Sequence, residues 1–503
     1  MKKSISCILQ VFILLSSTGC NDTAIDNFNS AETSPHLSPD YSGVTIPYNI
    51  SPINFRIDEK GSLYKVIMTA DEGPGISIKS EDGRIVIPRG KWEDFTSKNK
   101  GRNFIIDVFV KSGNKKWIKY KPVQNTIAAE PIDPYLYYRL LYPGYESWSE
   151  LSINMRKIQG FKTKTIIKNS IAEENCVNCH SFNNGRTGDF LFHMRGSVGG
   201  TFFYTDKGFR KTNLKTKEMK NGAVYPRWHP SGKYVVFSTN KIIQQFHSAG
   251  NKKVDVADLE SSLVLYDVEK SIITDINLPG KVNSMDTYPE WSPDGRHLYF
   301  CRAPQIKEEY DYAAIRYNLY RVEFNPSGSM TEEPKLVFNA DTIGKSVSFP
   351  RISPDGRFLV FTIADYGCFP IWHKEADLWL LDLTSMKAGR MDLNSDFTDS
   401  YHSLSSNGRW IVFSCKKDDD LVAKPYISYI DSSGKSTKPF ILPQKDPDFY
   451  NGLLKSFNLP EFATFEIKSN PHIIRKAVFS GAIQAEWANS FLTGNDKQSK
   501  NSE

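Results

Sequence analysis

The sequence predicts an all-β protein in which an N-terminal β-sandwich precedes a β-propeller. Aromatic residues make up 13% of the 503 residues, and 32 glycines and 27 prolines accompany them. This composition favours short strands joined by tight turns. Apolar runs alternate with turn signals along most of the chain, and one segment of about 14 residues occurs four times. The repeat predicts a ring of six blades, with seven as the alternative.

The repeated segment begins with an aromatic residue, continues through a turn and ends in an apolar strand. Two further strands follow each copy, so each unit has the four strands of a propeller blade. The copies lie at 225–238, 288–301, 349–362 and 401–414.

The Ser-Pro-Asp-Gly turns at 292–295 and 353–356 resemble those of TolB-type propeller repeats from bacterial envelope proteins. The resemblance implies a TolB-like propeller over 181–470. It is specific for the fold and does not indicate an activity. A weaker copy at 181–196 supplies a further blade. The hairpin at 148–169 completes a sixth blade together with strands from beyond residue 460.

The first 19 residues have the pattern of an export signal. Lys2 and Lys3 precede an apolar run at 8–15 and a stretch of small residues. The sequence STGC at 17–20 resembles the lipobox of bacterial lipoproteins, although Ser17 replaces the usual leucine. This resemblance implies lipidation of Cys20 and a lipid-anchored protein of the cell envelope, on the periplasmic or surface face of the outer membrane. An ordinary cleaved signal is the alternative.

Four further segments complete the predicted organisation. Residues 20–43 are polar and predict a tether, and 44–130 contain the short strands of an Ig-like sandwich. Residues 131–180 form a linker with a partial blade, and 471–503 form a C-terminal tail.

The charge balance argues against a nucleic-acid partner. Removing the signal takes away two of the 63 basic residues and none of the 57 acidic residues, which leaves a net charge of +4. The charges are dispersed, and no long basic stripe with interleaved aromatic residues is present.

The sequence CVNCH at 176–180 has the C-x-x-C-H pattern of covalent haem attachment. Cys176 and Cys179 can form thioethers with the two vinyl groups of one porphyrin, while His180 is the proximal iron ligand. The order of the repeat places this motif at the upper face of the propeller, near the mouth of the central channel. A redox disulfide and a zinc site are the alternatives, although no second cysteine pair accompanies this one.

Several side chains are candidates for the sixth iron ligand. Met194 and His193 follow the motif closely, although Met194 also fits a core position on an alternating strand. Less favoured are the upper-face histidines His247, His373 and His402, and an open position is a further alternative.

Three functions remain open at this point. The first is a c-type cytochrome lipoprotein with one haem c. It acts with a partner in the cell envelope, either in electron transfer or in redox sensing. The second is a propeller scaffold that binds an envelope protein or glycan. The third is an enzyme that uses the upper-face histidines and a metal ion; no serine-peptidase, phosphate-loop or zinc-peptidase motif is present.

Overall fold

The computed structural model describes most of the chain outside its two ends. The described residues are 25, 27–144, 150–183, 188–205, 207–276, 278, 283–306, 308–325, 332–468 and 471–488. Strands account for 48% of the structure and helices for 8%, which confirms the all-β class. Among these residues no helix is long and apolar enough to cross a membrane.

The N-terminal unit contains a seven-stranded sheet, a three-stranded sheet and one helix. The seven-stranded sheet comprises β1 (Phe28–Ser30), β3 (Thr45–Pro47), β5 (Leu63–Ala70), β6 (Ile76–Ser80), β8 (Asn103–Lys111), β9 (Trp117–Lys119) and β10 (Val123–Ala128). The small sheet comprises β2 (Leu37–Ser38), β4 (Phe55–Ile57) and β7 (Arg84–Ile85). Both sheets contribute to one apolar core. The Ig-like arrangement of this unit stays a prediction.

Two features of this unit differ from the sequence prediction. The segment expected to be a polar tether contains strands β1 and β2, which pair with β9 and β4 respectively. It also contains Tyr41, whose side chain is buried. Helix α1 (Arg89–Lys98) was not predicted; its apolar face is only Trp92 and Phe95, too short a pattern to identify from sequence.

Six sheets of antiparallel strands follow, and we call them blades 1 to 6. Blade 1 contains β11 (Tyr135–Leu141), β12 (Leu151–Lys157) and β13 (Thr163–Lys168), and its innermost strand is β34 (Ser456–Ala463) near the end of the chain. Pairing of β34 with β11 closes the ring with a strand that begins before residue 460.

Blades 2 to 6 are formed by consecutive strands. Blade 2 has β14 (Cys176–Phe182), β15 (Phe190–Arg195), β16 (Gly200–Thr205) and β17 (Gly208–Asn213). Blade 3 has β18 (Ala223–Trp228), β19 (Tyr234–Phe246), β20 (Val254–Asp267) and β21 (Ile272–Asp275). Blade 4 has β22 (Ser284–Trp291), β23 (His297–Pro304), β24 (Asn318–Glu323) and β25 (Lys335–Phe338). Blade 5 has β26 (Ser346–Ile352), β27 (Phe358–Ala364), β28 (Asp377–Asp382) and β29 (Lys387–Arg390). Blade 6 has β30 (Asp399–Leu404), β31 (Trp410–Cys415), β32 (Lys424–Tyr429) and β33 (Phe440–Ile441).

The innermost strands of the six blades contact one another in a closed ring, in the order β34, β14, β18, β22, β26 and β30. The turn after each inner strand has a fixed construction where the repeat is strongest. In blade 4 the Ser292 hydroxyl lies 2.5 Å from Asp294 Oδ1 and accepts a hydrogen bond from the His297 amide. Gly295 has φ +71°, a conformation that glycine adopts without steric cost. This turn reverses the chain into the second strand.

The segment expected to be a C-terminal tail packs against two blades. Helix α2 (Pro471–Val478) contacts blades 1 and 2. Strand β35 (Ile483–Gln484) then pairs in parallel with β17, and β36 (Glu486–Trp487) pairs with β21. These residues therefore extend blades 2 and 3 by one short strand each.

Candidate functional site

Every innermost strand of the ring has an irregularity at the same position. The register shifts there, and one residue has φ between +48° and +52°. Such a conformation is unfavourable for residues other than glycine, and its recurrence in all six blades makes it a feature of the repeat. We call these the bulge residues: Leu459, Cys179, Tyr225, Tyr288, Phe349 and Tyr401, in blades 1 to 6.

A cavity of about 500 Å³ lies above the bulge residues. Cys176, Asn178 and Cys179 line it from β14, and four other bulge residues contribute to its surface. The loop between the second and third strands of blade 5 adds Phe369 and Trp372. Both cysteines of the predicted haem motif therefore border the same cavity.

A second and much smaller cavity, of about 50 Å³, lies within the central channel. All six bulge residues line it, and so do His180 and His402. Cys179 borders both cavities. The sequence predicts His180 at the upper face together with the cysteines. In the structure its side chain does not line the larger cavity and borders the channel below it.

The reason for this placement is the repeat itself. Cys179 occupies the position of the aromatic bulge residues, and His180 occupies the next position, which is proline in four blades. In blade 6 the corresponding residue is His402. A histidine at this position is thus compatible with the fold without any cofactor.

The imidazole of His180 is fully buried. Neither ring nitrogen has a hydrogen-bond partner of good geometry in the described part of the chain, and the nearest carboxylate, Glu461 Oε2, is 4.0 Å from Nε2. Burial, together with the positive charge of Arg139, lowers the pKa of His180 to about 3. The ring is therefore neutral at physiological pH, the form that binds metal ions.

Buried charges surround the channel below this histidine. The Arg227 guanidinium lies 2.7 Å from Glu290 and 3.7 Å from Glu461, and Arg351 lies 3.2 Å from Glu290. Burial raises the pKa of Glu461 to about 7, while both arginines oppose the shift. These alternating charges compensate one another, so removal of one partner would leave a buried charge unpaired.

The thiol of Cys176 is mostly buried, and Asn178 Nδ2 lies 3.4 Å from its sulfur. Burial raises the pKa of this thiol, so it is protonated at neutral pH. Neither Cys176 nor Cys179 forms a disulfide.

The candidates for a sixth ligand are not equivalent in the structure. His193 lines the cavity and pairs across the sheet with Asn178, between the two cysteines. Its Nδ1 lies 3.0 Å from Thr201 Oγ1, which leaves Nε2 for a ligand. Met194 instead packs in the core of blade 2 with Phe190 and Phe192, because alternate residues of a strand face opposite sides.

The three other candidate histidines, His247, His373 and His402, do not line the 500 Å³ cavity. His247 lies 2.8 Å from Asp255, and His373 Nδ1 lies 3.1 Å from Glu375. His402 Nε2 lies 3.0 Å from the carbonyl oxygen of Val360. No group of three or more metal-binding side chains occurs within the described ranges, so these histidines do not converge on one metal.

The charged residues of the cavity are the feature that sequence reasoning missed. Five basic residues and no acidic residue line the described part of it: Arg139, Arg195, Lys215, Lys220 and Lys416. They come from blades 1, 2 and 6 and from the connection before blade 3. No run of basic residues in the sequence could reveal them, because the ring brings them together.

A haem group fits this arrangement in part. The paired thiols, the aromatic walls and the surplus of positive charge suit a flat apolar molecule with two carboxylates. The buried, neutral imidazole of His180 could hold a haem iron, although it borders the adjoining channel and not the larger cavity. Cys20 and the signal lie outside the described residues.

No family model and no curated protein matches the chain. Solved structures do resemble it. A nidogen/laminin complex matches 65% of this chain and 99% of its own, at 9% identity and a TM-score of 0.39. Hydrazine synthase of Kuenenia stuttgartiensis matches 69% and 75%, at 10% identity and 0.34. The β-propeller domain of Cps50 (Swd1) from Myceliophteria thermophila matches 52% and 85%, at 13% identity and 0.28.

These similarities are too distant to inform function. The closed ring of sheets itself defines the class: the chain is an all-β protein with a β-propeller-like fold.

Proposed function

We propose that the protein is an exported c-type cytochrome that carries one haem c, attached through Cys176 and Cys179 at the mouth of the propeller channel. The observation that supports this most is the position of both thiols on the surface of one cavity of about 500 Å³. Position 179 has an aromatic side chain in four other blades, so the fold does not require cysteine there.

His180, as the motif implies, and His193, which lines the cavity, are the residues that would hold the haem iron. Burial holds both imidazoles neutral, with pKa values of about 3, so each has a lone pair for iron. Haem supplies a one-electron redox centre when it is bound, and two histidine ligands favour a low reduction potential. The chain itself orients His193 through Thr201 and excludes water from His180 through burial.

The envelope location belongs to the same proposal. The signal-like first 19 residues and Cys20 imply export and a lipid anchor, and the Ser-Pro-Asp-Gly turns resemble TolB-type propellers. The partner is then a protein of the cell envelope that exchanges electrons with the haem, or whose binding depends on the haem redox state.

The test is a pyridine haemochrome spectrum of protein produced with a haem-attachment system. We expect one thioether-linked haem per chain. The double variant Cys176→Ala/Cys179→Ala should be colourless, whereas Cys301→Ala, which removes a buried thiol from blade 4, should keep a full complement of haem. Colourless wild-type protein that is correctly folded would contradict the proposal.

A second candidate is a binding scaffold without redox activity. The surplus of basic side chains in the cavity favours it, because such a surface binds an anion whether or not the thiols are modified. The haemochrome measurement separates the two candidates, since the scaffold stays colourless.

A further inference from the structure

Lys416 is the most unusual charged residue of the cavity. It follows the second strand of blade 6, is 2% exposed and lines the cavity. Its ammonium nitrogen lies 3.6 Å from the centroid of the Trp372 ring. Among the described residues the ammonium group has no hydrogen-bond acceptor and no carboxylate within ion-pair distance, and Asp420 and Asp419 attract it only from further away.

The acidic residues nearest in sequence attract this lysine, Asp420 most strongly, but none of them forms an ion pair with it. Asp418 forms an ion pair of 2.9 Å with Lys424, and Asp419 accepts hydrogen bonds from the amides of Leu421 and Val422. A buried ammonium group without an ion-paired anion is unfavourable, and distant carboxylates and a cation–π contact compensate only part of the cost. An anion in the cavity would supply the rest.

Arg139 presents a second unneutralised charge. It projects from β11 into the same cavity, and its Nη2 donates to Asn458 Oδ1 at 2.8 Å. The Nε atom is buried without a hydrogen-bond partner, and no carboxylate of the described residues pairs with this guanidinium. Two cations from different blades therefore face a cavity whose described lining contains no acidic residue.

We propose that Lys416 and Arg139 form a carboxylate-binding site in this cavity, with Trp372 as a surface for the apolar body of the ligand. Arginine and lysine bind carboxylates through charge-assisted hydrogen bonds. The carboxylates belong either to the propionate groups of an attached haem, in which case the site rests on the proposed function, or to a diffusible aromatic acid.

The test uses the full-length protein prepared without haem attachment. Protoporphyrin IX and its dimethyl ester are titrated in parallel, and so are 2-naphthoate and 2-naphthamide. Each pair differs only in whether a carboxylate is present. We expect at least one carboxylate to bind about tenfold more tightly than its uncharged counterpart, a ratio typical of one buried charge-assisted hydrogen bond.

The variant Lys416→Met should lower this preference about tenfold, because methionine keeps the length and apolar volume but removes the charge. Lys424→Met is the matched control, since Lys424 is also buried but pairs with Asp418 and does not line the cavity. It should leave the preference unchanged. Arg139→Gln should lower the preference for the carboxylate in the same way. It therefore tests the site even if Lys416→Met fails to fold.

The outcomes separate the two sources. A preference for protoporphyrin alone assigns the site to haem propionates, and a preference for naphthoate alone assigns it to a diffusible acid. Equal binding of all four compounds, or a preference that survives both Lys416→Met and Arg139→Gln, overturns the site. If the preference is present but haem never attaches, the site stands and the cytochrome proposal fails.

Discussion

Blades 2 and 6 have nearly the same sequence at the same place in the ring, yet their chemistry differs. Blade 2 has Cys179-His180-Ser181 and blade 6 has Tyr401-His402-Ser403. The bulge residues have φ +52° and +50°. His402 Nε2 lies 3.0 Å from the carbonyl oxygen of Val360, whereas the backbone of Leu459 interacts with His180 without a hydrogen bond of good geometry in the described residues.

The comparison shows which part of the C-x-x-C-H motif the fold explains. A histidine after the bulge residue is a variant of the repeat, since blade 6 has one without cysteines. The two thiols have no counterpart in blade 6. The haem proposal therefore depends on Cys176 and Cys179 more than on the histidine.

The largest effect is expected when blade 2 is made to resemble blade 6. Cys179→Tyr should fold, because three other blades accommodate tyrosine at this position with the same backbone. It should abolish normal haem attachment, as measured by the haemochrome spectrum. Cys179→Ser is the smaller replacement with the same expected loss. Full haem content in both variants would show that the motif is only a feature of the repeat.

The next largest effect concerns Lys416, which follows the second strand of blade 6. Burial lowers its pKa from 10.5 to about 7, while Asp420 and Asp419 oppose the shift. The unfolded chain binds the proton more strongly, so the cost of the buried amine is greatest below about pH 7 and vanishes above about pH 10.5. Lys416→Met should raise the free energy of unfolding by about 4 kcal/mol at pH 7 and about 2 kcal/mol at pH 9.

Denaturant unfolding of ligand-free protein at the two pH values measures this difference. Lys424→Met should not stabilise the protein, because that lysine has the Asp418 carboxylate as a partner. A gain at pH 9 equal to that at pH 7 would contradict the burial of an uncompensated amine.

How far the sequence could predict these features depends on the range of the contacts involved. The turns and the strand after each turn are local, so the repeat predicted the blades and placed Cys176 and Cys179 at the channel mouth. Helix α1 and the strands added by residues 483–487 were missed because their stability comes from tertiary packing. The partners of Lys416 and Arg139 are distant in sequence, and only the closed ring brings them together.

Paired histidine variants give a smaller effect and test the comparison directly. In haem-free protein His402→Ala should cost about 1–2 kcal/mol, because it leaves the Val360 carbonyl without the imidazole. In haem-containing protein His180→Ala should change the Soret band, whereas His402→Ala should leave it unchanged. Equal spectra for both variants would exclude His180 as an axial ligand.

The smallest effect distinguishes the two neighbouring candidates for the sixth ligand. Met194→Leu preserves volume in the core of blade 2 and should cost less than about 1.5 kcal/mol, with no spectral change. His193→Ala should convert the visible spectrum to that of a haem with an open position. A spectral change in Met194→Leu alone would assign the ligand to the methionine.

The most direct test of the central claim is mass spectrometry of the tryptic peptide 169–186, which contains Cys176, Cys179 and His180. Protein made with a haem-attachment system should yield this peptide with the added mass of one haem, and Cys176→Ala/Cys179→Ala should yield it unmodified. Recovery of the wild-type peptide only as free thiols or as a disulfide would contradict the assignment of the protein as a cytochrome.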